Sequence, residues 1–312
     1  MKIRLGYVAI SNALDKVTSS SSMTYTNFKK DNNFDKLDII IKSNLEDLIK
    51  ILNYNIKNNI HFYRLTSKLI PLATHNNVDF EYIDRYKYYY EKISYLINKH
   101  NIRIDVHPDQ FCVLNSTNKD VVNASIIILN YHLKILNALK IKNKVIILHV
   151  GSNVFGKENS IKRFINNFNK LPEELQKVIA LENDDKVFNA DDVLYICKKL
   201  KIPFVFDYHH DRCNPCKDIN NIMKDILDTW LYINPKIHIS SSKSNTKKEF
   251  RSHHDYINID DFLNLLNLIK KYNKDIDVMI EAKMKDDALF RLVRMIKYKT
   301  DYKFIDETTF II

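Results

Sequence analysis

The chain has 312 residues, and its 48 Lys and Arg against 38 Asp and Glu give a formal net charge of +10, which suits a polyanionic partner. Four cysteines are too few for a disulfide scaffold in a chain of this length, so we expect a protein of a reducing, intracellular compartment. We expect neither a membrane-spanning helix nor a signal peptide, because no apolar run reaches roughly 18 residues and strand-like sequence begins directly after Met1.

Glycine is scarce, with 3 residues in 312. Gly6, Gly151 and Gly156 match neither the G-x-G-x-x-G dinucleotide fingerprint nor a Walker A loop. A G-x-S-x-G nucleophile elbow is also missing from the sequence. Glycine-rich phosphate loops and an elbow-type serine hydrolase are therefore excluded.

Short apolar, β-branched runs alternate along the chain with longer segments of helical period. The predicted strands are Ile3–Ile10, His61–Thr66, Arg103–His107, Lys144–Val150, Val178–Glu182, Pro203–Asp207, Lys236–Ser240 and Asp277–Glu281. Helices are predicted between them, for example over Lys36–Lys57 and Asp260–Tyr272. Eight strand–helix units without a Pro/Gly/Ser linker predict a single (β/α)8 TIM barrel domain over residues 1–312. A doubly wound open sheet is the alternative, although its first strand would more naturally lead into a glycine fingerprint.

A histidine or a carboxylate stands at the carboxyl end of six successive predicted strands. These residues are His107, His149, Glu182, Asp207 with His210 three residues on, His238 and Glu281. In a barrel these strand ends meet at one mouth, where barrel enzymes keep their active sites. One such residue alone is more often an ordinary core histidine or a helix cap. Six at equivalent positions are costly to bury unless they are paired or bind metal, so we predict shared metal ligation.

The types of ligand narrow the metal and the chemistry. Imidazole with carboxylate and no thiolate suits Zn, Mn, Fe or Ni. Seven candidate ligands exceed the needs of one four-ligand site, so bridging carboxylates and two or three ions are expected. Such clusters suit phosphodiester hydrolysis, in which one ion activates water and others hold the attacking and leaving oxygens.

Two further patterns are weaker. Cys213 and Cys216 form a C-x-x-C, but Cys112 and Cys197 provide no matching second pair for a zinc site. Residues 85–90, Arg-Tyr-Lys-Tyr-Tyr-Tyr, resemble a basic platform on which bases could stack. Their spacing also fits an amphipathic helix, which is the favoured interpretation.

Nine short motifs stand in order along nearly the whole chain. They are Arg4-Leu5-Gly6-Tyr7; Tyr63-Arg64-Leu65-Thr66-Ser67 with Pro71 and Thr74-His75; His107-Pro108-Asp109-Gln110-Phe111 with Leu114-Asn115-Ser116; Leu148-His149-Val150-Gly151; Leu181-Glu182-Asn183-Asp184; Phe206-Asp207-Tyr208-His209-His210; Pro235-Lys236-Ile237-His238-Ile239-Ser240-Ser241; His253-His254-Asp255-Tyr256-Ile257; and Met279-Ile280-Glu281-Ala282-Lys283. In this order they resemble the UV damage endonuclease family (UvsE/UVDE type). The resemblance implies a barrel related to endonuclease IV that nicks DNA immediately 5′ of cyclobutane dimers and 6–4 photoproducts, leaving a 3′-hydroxyl and a 5′-phosphate.

The resemblance also implies a ligand set and a metal. Two or three divalent ions are expected, with manganese favoured and zinc the alternative. The implied ligands are His75, His107, His149, Glu182, Asp207, His210, His238, His253 and Glu281. The family pattern selects His210 over His209 and His253 over His254. Strand ends alone had indicated seven of these nine, without His75 and His253, which are expected in loops.

Further roles follow from the same resemblance. Glu182, Lys236 and Glu281 are implied to be catalytic. An unmodified ammonium is an unusual neighbour for metal ions, so Lys236 is expected either to be carbamylated or to reach a phosphate. Lesion contacts are implied for Tyr7, Asn12, Gln110 and Phe111. Phe111 stands where the family often has tyrosine. The phenylalanine ring keeps the stacking face but lacks the hydroxyl of tyrosine.

The expected partner is UV-damaged double-stranded DNA, bound by a monomer with no membrane involvement. The nearest alternative is an apurinic-site endonuclease of the endonuclease IV type. A metal-dependent sugar isomerase is the alternative from another class, but the net charge of +10 and the histidine-rich set count against it. A DNA-binding module without activity would not need nine residues of metal-ligand type.

Overall fold

Eight parallel strands close into a barrel in the computed structural model, which describes residues 1–31 and 34–312. The barrel strands are β1 (Lys2–Val8), β2 (Phe62–Leu65), β3 (Arg103–Val106), β4 (Ile146–His149), β5 (Ile179–Glu182), β6 (Phe204–Asp207), β7 (Lys236–Ile239) and β8 (Ile276–Ile280). Each strand pairs with the next in chain order, and β8 returns to β1 with Ile3 opposite Ile276 and Tyr7 opposite Ile280. The predicted (β/α)8 barrel is confirmed. The open-sheet alternative is wrong, because β1 also pairs with β2 and closes the ring.

Helices follow the strands and cover the outside of the barrel. They are α1 (Tyr25–Asp31), α2 (Phe34–Lys57), α3 (Tyr82–Arg85), α4 (Lys87–Lys99), α5 (Lys119–Ala138), α6 (Lys157–Phe168), α7 (Glu173–Gln176), α8 (Ala190–Leu200), α9 (Tyr208–Cys213), α10 (Ile219–Asp228), α11 (Ile259–Ile269) and α12 (Lys285–Lys299), with a short 3-10 helix over Lys270–Tyr272. α2 buries Leu37, Ile41, Leu45 and Leu48, whose spacing of three or four residues places them on one face. The two predicted helices therefore match α2 and α11 with its 3-10 extension.

The tyrosine-rich segment lies on α3 and α4. Tyr86 and Tyr90 are buried in the core, whereas Tyr88 is 60% exposed. The segment is thus an amphipathic helical surface whose inner face packs against the core, as the favoured interpretation stated.

α5 is long and apolar enough to cross a membrane by length and composition, with a mean hydropathy of 1.2. It is the one such helix in the described part of the chain, and no helix of this length and composition was predicted from the sequence. Leu129, Leu133 and Leu136 of this helix are buried in the barrel's core cluster. A core helix of this kind passes the same test of length and composition.

Two short antiparallel strands, β9 (Lys303–Phe304) and β10 (Thr309–Ile311), were not predicted. β10 pairs with the first residues of β1, with Ile3 opposite Phe310. β1 has seven residues and β2 only four, so the start of β1 has no barrel neighbour on that side. The C-terminal strands satisfy its free backbone groups there.

Side chains that point into the barrel come from every second residue of each strand. One step below the mouth, part of this interior is apolar, with Ile147, Ala180 and Val205 in one cluster. The rest is charged. The charged interior residues are Arg4, Arg103, Asp105, Lys236 and Asp277.

Candidate metal centre

Parallel strands bring the predicted ligands to one mouth of the barrel. Two groups of donor atoms lie within 4.8 Å of one another. The first consists of His107, His149 and Glu182, and the second of Glu182, Asp207 and His238. Glu182 belongs to both groups, so its carboxylate is common to the two sets of donors.

Glu182 is buried at the end of β5 and faces an imidazole on each side. Its Oε2 lies 3.0 Å from His107 Nε2, and its Oε1 lies 3.0 Å from His238 Nδ1. Burial disfavours the charged form, but the imidazoles of His238 and His149 hold the pKa of Glu182 well below its ordinary value. The carboxylate is therefore negative in the working pH range and offers both oxygens to cations.

Asp207 also ends a strand, and it caps the next helix. Its Oδ1 accepts a hydrogen bond from the His210 backbone amide at 2.7 Å, at the start of α9. Its Oδ2 is buried and has no hydrogen-bond partner in the described parts of the chain. The amide of Asn183 holds the backbone of Asp207 by two hydrogen bonds of 2.8 and 3.0 Å. An oxygen fixed in this way and left without a donor fits a metal ligand.

His238 is fully buried and presents a second unpartnered atom. Its Nδ1 lies 3.0 Å from oxygens of both Glu182 and Glu281, so this nitrogen carries the proton. Its Nε2 lone pair is buried and, among residues 1–31 and 34–312, meets no donor. Burial lowers the pKa of His238 to about 4, which keeps the ring neutral and its lone pair available.

Three more histidines are oriented by backbone carbonyls. The Nδ1 atoms of His107, His210 and His253 lie 2.9–3.0 Å from the carbonyl oxygens of Pro108, Asn183 and Glu281. Such a bond fixes the tautomer that leaves Nε2 free, as histidine ligands of metals commonly have it. In His107 both nitrogens face oxygens, and a neutral ring has only one N–H to donate. A metal ion held by His107 and Glu182 would remove this conflict.

Glu281 and His253 complete the arrangement at the rim. Glu281 Oε1 pairs with Arg64 Nη1 at 2.5 Å, and this guanidinium outweighs burial in holding the pKa of Glu281 below its ordinary value. The His253 ring lies 6.2 Å from the His210 ring between centroids. Arg64 and Asn183 belong to the sequence motifs but were not predicted as site residues, although they directly adjoin the ends of β2 and β5.

His75 is placed differently from the other implied ligands. Its ring stacks on Tyr25 with 4.0 Å between centroids, and its Nδ1 accepts a hydrogen bond from the Asn77 amide. Neither of the two donor groups found in the described residues includes it. His75 thus lies outside both donor groups, as His210, His253 and Glu281 also do, and its Tyr25 contact sets it apart from them.

The C-x-x-C pair lies close to the cluster without joining it. Cys213 Sγ is 3.7 Å from Nε2 of His209, the histidine that the family pattern rejects. Burial raises the pKa of Cys213 to about 11 and of Cys216 to about 12, so both thiols stay protonated.

Lys236 lies one step below the cluster, two residues before His238 on β7. Its Nζ is 2.6 Å from Asp105 Oδ2, and both side chains are fully buried. Burial and the charges of Arg64 and Arg103 outweigh Asp105 and lower the pKa of Lys236 to about 8. Asp105 was missed by sequence reasoning, although it stands two residues before His107 on the same face of β3.

The implied lesion contacts fall into two environments. Gln110 is exposed and lines a cavity of about 310 Å³ together with His107 and His149. Phe111, next to it, is 73% exposed, and Asn12 is exposed with its backbone amide bonded to Asp286. Tyr7 is instead fully buried, and its hydroxyl donates to Asn55 on α2. A ring in that position packs within the barrel wall and does not form a contact at the surface.

Comparisons with known proteins agree with this geometry. The family described as UV-endonuclease UvdE matches residues 3–309. The UV DNA damage endonuclease of Bacillus cereus (strain B4264) is 43% identical over 300 residues, covering 94% of each chain. That of Bacillus anthracis (strain A0248) is 41% identical over 316 residues, covering 99% of each.

Solved structures give the same answer. The crystal structure of SacUVDE has a TM-score of 0.86 at 32% identity and covers 95% of this chain and 98% of that one. Endonuclease IV from Thermus thermophilus has a TM-score of 0.59 at 11% identity and covers 95% of this chain and 100% of that one, which shows a shared fold. The resemblance inferred from the nine motifs is thus confirmed over nearly the whole length. The chain belongs to the UV-endonuclease UvdE family, and the relatives given above are named UV DNA damage endonucleases.

Proposed function

We propose that this protein is a metal-dependent endonuclease that nicks DNA immediately 5′ of cyclobutane pyrimidine dimers and 6–4 photoproducts. The products would be a 3′-hydroxyl and a 5′-phosphate. The observation that carries the proposal is the pair of donor groups that share Glu182 at the mouth of the barrel. We further propose that it acts inside the cell, as a monomer, on double-stranded DNA.

The donor set supports two or three divalent ions, with Mn²⁺ favoured and Zn²⁺ the alternative. Imidazoles and carboxylates without thiolate suit these ions. The proposed ligands are His75, His107, His149, Glu182, Asp207, His210, His238, His253 and Glu281. When bound, such ions make water a competent nucleophile near neutral pH and neutralise charge on the phosphate.

The chain's own residues would prepare the site for this chemistry. Glu182 holds a negative charge between the two groups, and Arg64 keeps Glu281 ionised. Burial lowers the pKa of Lys236 to about 8, so a minor fraction of this amine is neutral near pH 7, and only a neutral amine can react with CO₂ to form a carbamate. Its salt bridge to Asp105 supports the unmodified ammonium instead, so both expectations for Lys236 remain proposals.

The test is nicking of a defined UV-irradiated duplex with Mn²⁺, with and without a chelator. We expect cleavage on the 5′ side of the lesion, ends that a ligase and a 3′-extending polymerase accept, and loss of nicking with the chelator. A duplex with one abasic site separates this proposal from an apurinic-site endonuclease. Elemental analysis should find at least two metal ions per chain. Cleavage of abasic DNA alone, or active protein with one ion or none, would contradict the proposal.

Gln110, Phe111 and Asn12 are proposed to contact the lesion. The loop after β3, which ends at Val106, leaves Phe111 73% exposed, so its ring can stack against displaced bases. A dimer is already poorly stacked and paired, so it costs less to extrude than intact bases.

We expect Phe111→Ala to weaken lesion binding by roughly 1–3 kcal/mol, the range for stacking of one base on an aromatic ring. Affinities for irradiated and intact duplexes, measured side by side, would show reduced discrimination at unchanged metal content. Tyr232→Ala is the control, because Tyr232 is 92% exposed in the loop before β7, at the other end of the barrel. If both variants discriminate equally well, Phe111 has no part in lesion recognition.

A further inference from the structure

A second polar cavity, of about 410 Å³, lies at the rim of the same barrel mouth. Its lining includes three basic side chains and three serines. These residues are Arg212, Lys243, Arg291, Ser241, Ser242 and Ser244. The proposed reaction at the metal centre gives this cavity no role.

The chain ties this cavity to the metal centre at two points. On α9, His210 faces Glu182, and Arg212, two residues later, lines the cavity. In the segment after β7, His253 bonds to the backbone of Glu281, and its neighbour His254 lines the cavity. Ser242 and His253 pair as an antiparallel bridge, which holds this segment in place. A ligand in the cavity would therefore sit beside the metal centre.

The charges of the cavity leave one cation without a counterion. Arg212 pairs with Asp261 at 2.6 Å, and Lys243 pairs with Glu249 at 2.5 Å. Arg291 forms no ion pair or hydrogen bond within residues 1–31 and 34–312. Its guanidinium carbon lies 4.2 Å from the ring centroid of Tyr256, so the aromatic face positions it without neutralising it.

Ser242 and His254 line the same cavity as this guanidinium and offer it further polar groups. Ser242 Oγ is buried and lacks a hydrogen-bond partner in the described chain. His254 accepts a hydrogen bond at Nδ1 from the Tyr256 amide at 2.9 Å, which leaves the proton of a neutral ring on Nε2. A guanidinium with hydroxyl and imidazole donors is the chemistry that recognises a phosphate oxygen.

We propose that this cavity binds a phosphate of the DNA backbone other than the one that is cleaved, with Arg291 as its principal contact. The inference rests on the proposed nuclease function and adds a place where the substrate is held. A backbone phosphate is the same next to damaged and intact bases. The contact therefore raises affinity for all duplexes alike and orients the strand across the metal centre without reading the lesion.

The experiment compares Arg291→Gln with Arg294→Gln. Both arginines are exposed on α12, three residues apart, and both changes remove one positive charge, but Arg294 does not line the cavity. Affinity is measured over a series of salt concentrations for an intact and a UV-irradiated duplex. We expect Arg291→Gln to weaken binding of both duplexes by the same factor and to reduce the slope of log K against log salt by about 0.9, the value for one lost phosphate contact. Arg294→Gln should keep the wild-type slope.

Further measurements distinguish a lost phosphate contact from other effects of the substitution. Arg291→Lys should retain most of the slope, because it keeps the charge, and in nicking assays the effect of Arg291→Gln should fall on KM rather than kcat. Melting temperatures of the variants exclude a folding defect. Equal slopes for the Gln variants at positions 291 and 294, or a loss confined to irradiated DNA, would overturn the phosphate site. Failure of the proposed function would show separately, as wild-type protein that binds DNA but does not nick it.

Discussion

Glu182→Gln should abolish nicking and empty the metal centre while the barrel stays folded. The amide keeps the shape of the side chain but removes the charge that both donor groups share. Loss of a partner that merely orients a ligand costs about 10–100-fold in metal affinity. Loss of a ligand that bridges both groups should therefore cost more than about 100-fold. Elemental analysis and nicking of a UV-irradiated duplex measure the two effects, and circular dichroism checks the fold.

Glu158→Gln is the matched control for this change. Glu158 lies on α6 with its side chain 83% exposed and pairs with Lys162 one turn away. We expect that variant to keep full activity and metal content, because exposed pairs of this kind contribute little. Wild-type nicking by Glu182→Gln with an unchanged metal content would contradict the bridging role.

The strands and their ends were the predictable part of this molecule. Both faces of a parallel barrel strand are covered, so each strand is a short apolar run, and its first polar residue marks the mouth. β5 was predicted over Val178–Glu182 and is observed over Ile179–Glu182. Because the carboxyl end was placed correctly, the sequence already indicated that Glu182 lies among the other strand ends.

The loops were not predictable in the same way. No periodicity relates a loop residue to the barrel axis, so the position of His75 rested on the family resemblance alone. In the structure its ring stacks on Tyr25. β10 was missed for a related reason, since a three-residue strand forms only where another strand leaves an edge open.

The charged layer below the cluster had a signal that sequence reasoning did not use. Asp105 stands two residues before His107, and Lys236 stands two residues before His238. Each charged side chain therefore points to the same inward side of its strand as the ligand that follows it. Charged residues are rarely buried unless paired, so the sequence of one strand alone argues against burial of its charged residue. Their pairing joins β3 and β7, and this contact depends on barrel closure rather than on local sequence.

Asp277→Asn should be the most destabilising single change at the closed end of the barrel, where the strands begin. Asp277 is fully buried, and its two oxygens accept from Arg4 Nε and Nη2 and from Arg103 Nη1, each at 2.6 Å. The Arg103 side chain is only 9% exposed, so the change leaves a buried guanidinium without its counterion and turns an amide donor toward another donor. Breaking a buried ion pair on one side costs about 3–5 kcal/mol. Chemical denaturation of both proteins measures this loss, and metal content should not change.

The pH dependence of this difference follows from the direction of the pKa shift. Burial opposes ionisation, but Arg103 and Arg4 outweigh it and lower the pKa of Asp277 below its ordinary value. A lowered folded-state pKa stabilises the fold at pH above the unfolded value of about 3.9, and the stabilisation is lost as the pH falls through the folded value. The gap between wild type and Asp277→Asn should therefore be constant near neutrality and narrow below about pH 4.

Asp275→Asn provides the comparison two residues earlier on the same chain segment. Its partner Lys2 lies 3.4 Å away, and the two side chains are 44% and 40% exposed. An exposed pair contributes about 0–1 kcal/mol, because water screens the charges and remains available to each partner. A loss at Asp277 no larger than the loss at Asp275 would mean that the two arginines find other partners when the carboxylate is removed. In that case the charged layer would not hold the closed end of the barrel together, and its residues would have to be explained by what they do to the metal centre above them.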